Sequence, residues 1–253
     1  MGELKYIAFE DEAEDIKDKV ESYWKKRAAS FFELRHEELE SNKAALWTGE
    51  LEVLLENRRN LRILDLGCGA GFFEIILGNM GHEVIGVDLT KDMVDKANEM
   101  IKLYGMDNTK VKAVQGDAEN PGFPEESFDV VISRNLTWTL PHPIDAYKNW
   151  YKLLKKDGML LNFDAEYAKG EHNLYASENK AHMDLPVEMK DECHDIYHML
   201  TISTLNRPAW DVEILKTIGV SKLFTDEEFG SRIFAEHDRF YIPDKMFCIK
   251  AKK

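Results

Sequence analysis

Between residues 10 and 57 apolar positions recur at helical spacing among charges: Ile16, Val20, Tyr23, Trp24, Ala28, Phe31 and Phe32, then Leu46, Leu51, Val53, Leu54 and Leu55. Two helices are predicted there. The acidic run Glu10–Asp15 reads as a solvated helix start, where carboxylates suit the helix dipole. From Leu61 the pattern changes to short apolar runs bounded by turn residues, and residues 61–66, 83–88, 111–115, 128–133 and 159–163 are predicted strands. Helical stretches fall between them: residues 72–80, a segment through Tyr104 with Thr90 as N-cap, and residues 143–156 opened by Pro143. Strands alternating with helices predict an α/β protein with a parallel sheet covered on both faces. After Asp164 the alternation stops, and residues 165–207 read as polar helices and loops. A helix to Ile218 and strands at 220–224 and 245–250 resume the pattern.

Charge and cysteine usage narrow the function classes. Lys and Arg number 33 against 47 Asp and Glu, so the net charge is −14. Phosphate contacts need clustered cations, so nucleic-acid and anionic-membrane partners are disfavoured. Cys68, Cys193 and Cys248 are far apart and odd in number, which implies no disulfide framework and fits a reducing compartment. The first residues are acidic and lack an apolar export core, and no run of ~18 apolar residues occurs. A cytoplasmic location is expected.

The chemistry centres on Asp65-Leu66-Gly67-Cys68-Gly69-Ala70-Gly71, which ends a predicted strand and opens a helix. Glycines there allow a tight turn and close approach of a ligand. Such a loop could hold NAD, FAD or S-adenosyl-L-methionine. The dinucleotide pattern G-x-G-x-x-G requires glycine where this chain has Phe72. Asp65 is also a poor neighbour for a pyrophosphate, but suits a cationic amino-acid ligand. Asp88 ends the next strand, where a carboxylate can accept both ribose hydroxyls. Gly116-Asp117-Ala118 follows the third strand, where an aspartate can accept from an adenine amino group.

With these pieces in this order, the chain resembles the class I S-adenosylmethionine-dependent methyltransferases. The resemblance is carried by LDLGCGAGFFEIIL, GHEVIGVDLTKDMVDKA, VQGDAENPGFPEESFDVVISRNLTWTL and LLKKDGMLLNFD, over about residues 60–165. Lys156-Asp157 replaces the usual Pro-Gly before Gly158, in a turn remote from the site. The resemblance implies a Rossmann-like, doubly wound, mostly parallel seven-stranded sheet with helices on both faces. It divides the chain into an N-terminal helical cap (1–58) and a methyltransferase domain (59–253), with a lid insertion at about 165–207. It also implies S-adenosyl-L-methionine as cofactor and S-adenosyl-L-homocysteine as product. Gly67, Cys68, Gly69 and Gly71, with Asp65 ahead of them, then bring the backbone to the methionine moiety. Asp88 holds the ribose, Leu89 and Met93 lie by the adenine, and Asp117 bonds the adenine amine beside Ala118. Arg134 and Asn135 lie near the methionine amine through their backbone, and Tyr23 and Trp24 cover the cofactor. Taken alone, Tyr23 and Trp24 on an apolar stripe are more often core positions than cofactor contacts.

The acceptor is narrowed by exclusion. No Asn/Asp-Pro-Pro-Tyr/Phe follows the fourth strand and no Pro-Cys nucleophile occurs, so chemistry on a flipped base is disfavoured. A small-molecule acceptor is the expectation. His172, His182, His194 and His198, with His142, Tyr167 and Tyr175, are candidate bases without rank, so no catalytic residue is assigned. His194 and His198 stand at i, i+4 beside Cys193, a spacing that can bind metal, but no CxxC or HExxH accompanies them and no metal is assigned. Two rivals differ in class. An NAD(P)-dependent oxidoreductase is opposed by the missing fingerprint glycine, and a non-catalytic binding module by the intact Asp88 and Asp117.

Overall fold

The computed structural model describes residues 13–106 and 109–253, without the side chains of residues 13, 171 and 172. The start of the acidic run and the side chain of His172 lie outside the described residues. Two helices lead, α1 (Ala13–Leu39) and α2 (Asn42–Leu54). The alternating part follows as β1 (Arg62–Leu66), α3 (Phe72–Asn79), β2 (Glu83–Asp88), α4 (Lys91–Leu103), β3 (Val111–Gln115), β4 (Phe128–Arg134), α5 (Pro143–Leu153) and β5 (Leu154–Asp164). The remainder holds α6 (Val187–Met199), α7 (Ala209–Ile218), β6 (Lys222–Asp226), α8 (Phe229–Ile233) and β7 (Phe247–Lys252). The seven strands run in the order β3-β2-β1-β4-β5-β7-β6. The first five are parallel, and β7 lies antiparallel to both β5 and β6.

The two-residue period of the strands sorts their side chains into two cores. Ile63, Val84, Val130, Ile132 and Leu161 pack under α2, α3 and α4. Leu64, Leu66, Ile85, Val131 and Leu160 pack against Tyr147 and Trp150 of α5 and Leu215 of α7. Trp47 of α2 is fully buried against Phe73, Phe163 and Phe229, so the N-terminal helices share the core of the sheet.

Local expectations differ from the structure in three places. The helix expected to run to Lys156 ends at Leu153, because β5 starts at Leu154 and pairs there with Phe128. Thr90 occupies the N-cap of α4 but makes no side-chain capping bond. Residues 165–207, read as polar, contribute Leu174, Cys193, Ile196, Tyr197, Leu200 and Ile202 to a third apolar cluster with Ile16, Val20 and Tyr23 of α1. The strand order reverses between β1 and β4, and a crevice opens there at the carboxyl ends of the strands. The third cluster roofs that crevice.

Candidate functional site

The crevice is a cavity with about 1590 Å³ of empty space, part of it open to solvent. It is walled by the β1–α3 loop, the ends of β2 and β4, α1, the insertion and residues 234–242. Of the fourteen residues proposed from sequence for the cofactor, all but Gly71 line it: Tyr23, Trp24, Asp65, Gly67, Cys68, Gly69, Asp88, Leu89, Met93, Asp117, Ala118, Arg134 and Asn135. Gly71 lies just outside the lining. It caps α3 at φ +89°, and a Cβ there would stand 3.1 Å from the Ala97 backbone, so it serves the packing of α3 on α4. Gly69 is a cavity glycine proper: at φ +53° its Cβ would come within 2.9 Å of the Phe31 ring.

Three carboxylates frame the loop. Asp88 accepts from the Gly69 N–H at 3.0 Å and the Thr90 N–H at 2.9 Å, which ties the loop to β2. These bonds occupy two of about four lone-pair directions, leaving the others for a ligand. Burial pushes the Asp88 carboxyl up, while the Thr90 and Gly69 donors oppose that shift. Asp117 accepts from the Glu119 N–H at 2.8 Å and pairs with Lys17 of α1 at 2.7 Å. Lys17 also reaches Glu119 at 2.5 Å, so α1 is pinned over this edge by one cation on two acids. Asp65 is 2% exposed at the end of β1.

The opposite wall is cationic. Arg134 was expected to contribute through its backbone, but its guanidinium does the visible work: it meets Glu38 at 2.8 Å and lies 4.7 Å from both the Trp47 and Phe72 ring centres. Arg35 binds the same Glu38 and sits 4.4 Å from the Phe31 ring centre. Two guanidinium groups thus share one buried carboxylate, and Arg134 Nε has no partner. Burial and the Arg134 charge pull the Arg35 guanidinium down to about 10, although Glu38 opposes them. Asn135 takes a left-handed φ of 55° and accepts from the Tyr167 hydroxyl at 2.7 Å.

The insertion brings Tyr167, His182, Cys193 and Tyr197 to the cavity. Trp138 packs edge-on to Tyr167 and Tyr197 at 5.7 and 4.9 Å. His182 Nδ1 lies 3.1 Å from Asn179 Oδ1. Burial, reinforced by the Arg27 and Arg35 charges, drives its imidazole down to about 3, so the ring is neutral. Tyr167 and His182 are the only base candidates among the described side chains that line the cavity. His142 pairs with Glu119 at 3.2 Å, Tyr175 donates to Asp191, and His194 and His198 face each other at 3.2 Å on α6. Among the described residues no group of three His, Cys, Asp or Glu side chains is placed to hold a metal.

Sequence reasoning missed Lys17, Phe31 and Arg35. With Val20 and Trp24 they follow helical spacing along one face of α1, so extending the Trp24 stripe in both directions would have found them.

Residues 64–162 match the family model described as a methyltransferase domain. The chain is 35% identical over 109 residues to the uncharacterized methyltransferase YcgJ of Bacillus subtilis, covering 43% of this chain and 42% of that protein. It is 31% identical over 117 residues to a ubiquinone biosynthesis O-methyltransferase of Aliivibrio fischeri, covering 43% of this chain and 47% of that protein. Across such curated relatives the chain spans half of their length or less. A solved methyltransferase-like structure from Methanococcus maripaludis superposes with a TM-score of 0.58 at 19% identity, covering 90% of this chain and 93% of that one, a likeness of fold.

Proposed function

We propose that the chain, whose residues 64–162 match a methyltransferase-domain family, is a class I S-adenosylmethionine-dependent methyltransferase that transfers a methyl group from S-adenosyl-L-methionine to a small-molecule acceptor. That cofactor supplies an electrophilic methyl on a sulfonium with a neutral leaving group. The protein's part is to hold, orient and exclude water. The observation that carries the reading is the convergence of Asp65, Asp88 and Asp117 on one glycine loop in one cavity.

Each end of the cofactor has a counterpart. Asp88 offers its unused lone pairs to the ribose hydroxyls, and Asp117 offers one to the adenine amine. Asp65 faces the ammonium group. Arg134 and Arg35, with one carboxylate between them, take the carboxylate of the amino-acid end. The acceptor lies under the insertion. Among the described residues no Asp or Glu lines the cavity besides the three at the loop, so an acceptor with an aliphatic ammonium group finds no counter-ion among them. Trp138, Tyr167, Tyr197 and Phe240 favour a mostly apolar, flat molecule, and neutral His182 can accept a hydrogen bond from its O–H or N–H. The three cysteines are unpaired and buried, which supports a cytoplasmic setting. No helix among the described residues is long and apolar enough to cross a membrane.

Calorimetric titration with S-adenosyl-L-homocysteine and with NADH tests the proposal. Saturable binding of the first and none of the second is expected. Binding of NADH, or no heat with either cofactor form, would overturn it.

A further inference from the structure

Glu74 is fully buried in the first turn of α3, and neither of its carboxyl oxygens meets a hydrogen-bond donor. The register of β1 and β2 explains its place. Asp65 stands opposite Gly86, and side chains in register on adjacent strands share a face at a spacing of about 5 Å. Gly86 has no side chain. Glu74 Oε1 takes the space that a Cβ at residue 86 would fill, with Cys68 Sγ 2.9 Å from the same point. The Glu74 carboxyl therefore replaces a missing neighbour and lies against Asp65.

Two carboxylates cannot both ionise cheaply in so dry a place. Burial pushes the Glu74 carboxyl up to about 8, with the nearby first-turn N–H of α3 and the interaction with Asp65 opposing and the Asp88 charge adding. Burial and Glu74 likewise push Asp65 up, against the pull of Arg134. The two acids differ in their other neighbours. Asp65 lines the cavity and feels the Arg134 guanidinium, whereas Glu74 lies behind it, outside the cavity lining. The facing pair therefore holds one proton between its two carboxyl groups. The other groups facing the pair are Cys68 of the loop, Asp88 of β2 and Arg134 of β4.

We propose that Glu74 is a positioning residue for the cofactor's ammonium group: it shares one proton with Asp65 across the space left by Gly86, so that the pair carries one negative charge and presents a fixed Asp65 oxygen to the cavity. This rests on the cofactor reading above. No proton is transferred to the ligand. The shared proton leaves to solvent only when the pH rises above the range in which the pair holds it.

Glu74→Gln keeps the shape and an N–H donor but cannot titrate, and Glu74→Met keeps the bulk and loses the donor. Without ligand, chemical denaturation is followed from pH 5 to 9. A folded-state acid raised above its unfolded value of ~4.3 contributes stability that is full below that value and is lost as pH rises towards about 8. The wild type should therefore lose stability relative to Glu74→Gln as pH rises, by up to ~10-fold in the unfolding constant per pH unit. Infrared spectra at neutral pH should show a protonated-carboxyl C=O band that the variant lacks. With S-adenosyl-L-homocysteine at pH 7, Glu74→Gln should bind within about threefold of wild type. Glu74→Met should bind roughly tenfold more weakly, the scale of one charge-assisted bond. A pH-independent stability difference, a retained band, or equal binding by the two variants would overturn the proposal. Failure of the wild type itself to bind would instead remove the cofactor reading, and the ligand-free arms keep the two results distinguishable.

Discussion

At the β1, β2 and β3 ends of the cavity three carboxylates face the glycine loop, whereas the half beneath the insertion is walled by Trp138, Tyr167, Tyr197 and Phe240. The first half is assembled from strand ends, so its geometry follows from the sheet. The second is assembled from α1, the insertion and residues 234–242, which meet only in the finished fold. The charged half thus follows from local strand ends, and the apolar half from long-range packing.

The sharpest way to break the second half alone is at its root. Arg207, where the insertion returns to the sheet, reaches Asp164 at 2.9 Å, Asp211 at 2.9 Å and the Thr137 hydroxyl at 2.6 Å, all buried. Burial opposes its charge, but Asp164 and Asp211 outweigh that and raise its pKa. Arg207→Met strands two buried carboxylates and should cost about 3–5 kcal/mol of stability by urea denaturation. In the first half, Asp88→Ala should weaken S-adenosyl-L-homocysteine binding by about 1.5–3 kcal/mol in calorimetry, with little loss of fold. Unchanged affinity would remove the ribose role.

Smaller effects sharpen the boundary between the halves. Asp117→Ala should cost about 1 kcal/mol of cofactor affinity, and Asp117→Asn less, since its amide oxygen still accepts. Equal, wild-type binding by both would leave Asp117 a turn residue that anchors Lys17. Lys17→Met should weaken cofactor binding by under ~1 kcal/mol, because its pair with Asp117 is partly exposed at 24% and 37% of the two side chains. A larger loss would mean that α1 is held closed by this one cation.

The halves also differ in how far they could be read from the chain. The strands, their order of appearance and the acids at their ends follow from short apolar runs and turn residues, because each signal is local. Arg134 was placed by its backbone position, yet its guanidinium role depends on Glu38, 96 residues away. The apolar cluster of the insertion escaped notice because Leu174 and Ile202 lie in short turns, Ile196 lies on a mostly polar helix, and they complete a core only against Ile16 and Val20. Helix α8 is a five-residue segment, too short to show periodicity. Glu74 looks like an ordinary first-turn acid, and only the pairing of Asp65 with Gly86 shows what it faces.

Hydrogen exchange with and without S-adenosyl-L-homocysteine tests the division most directly, since it reads both halves in one experiment. Added protection is expected in the 66–71 loop and along the cavity face of α1 from Lys17 to Arg35, with a much smaller change across α6. Protection gained mainly in α6, or none in the loop and α1, would contradict it.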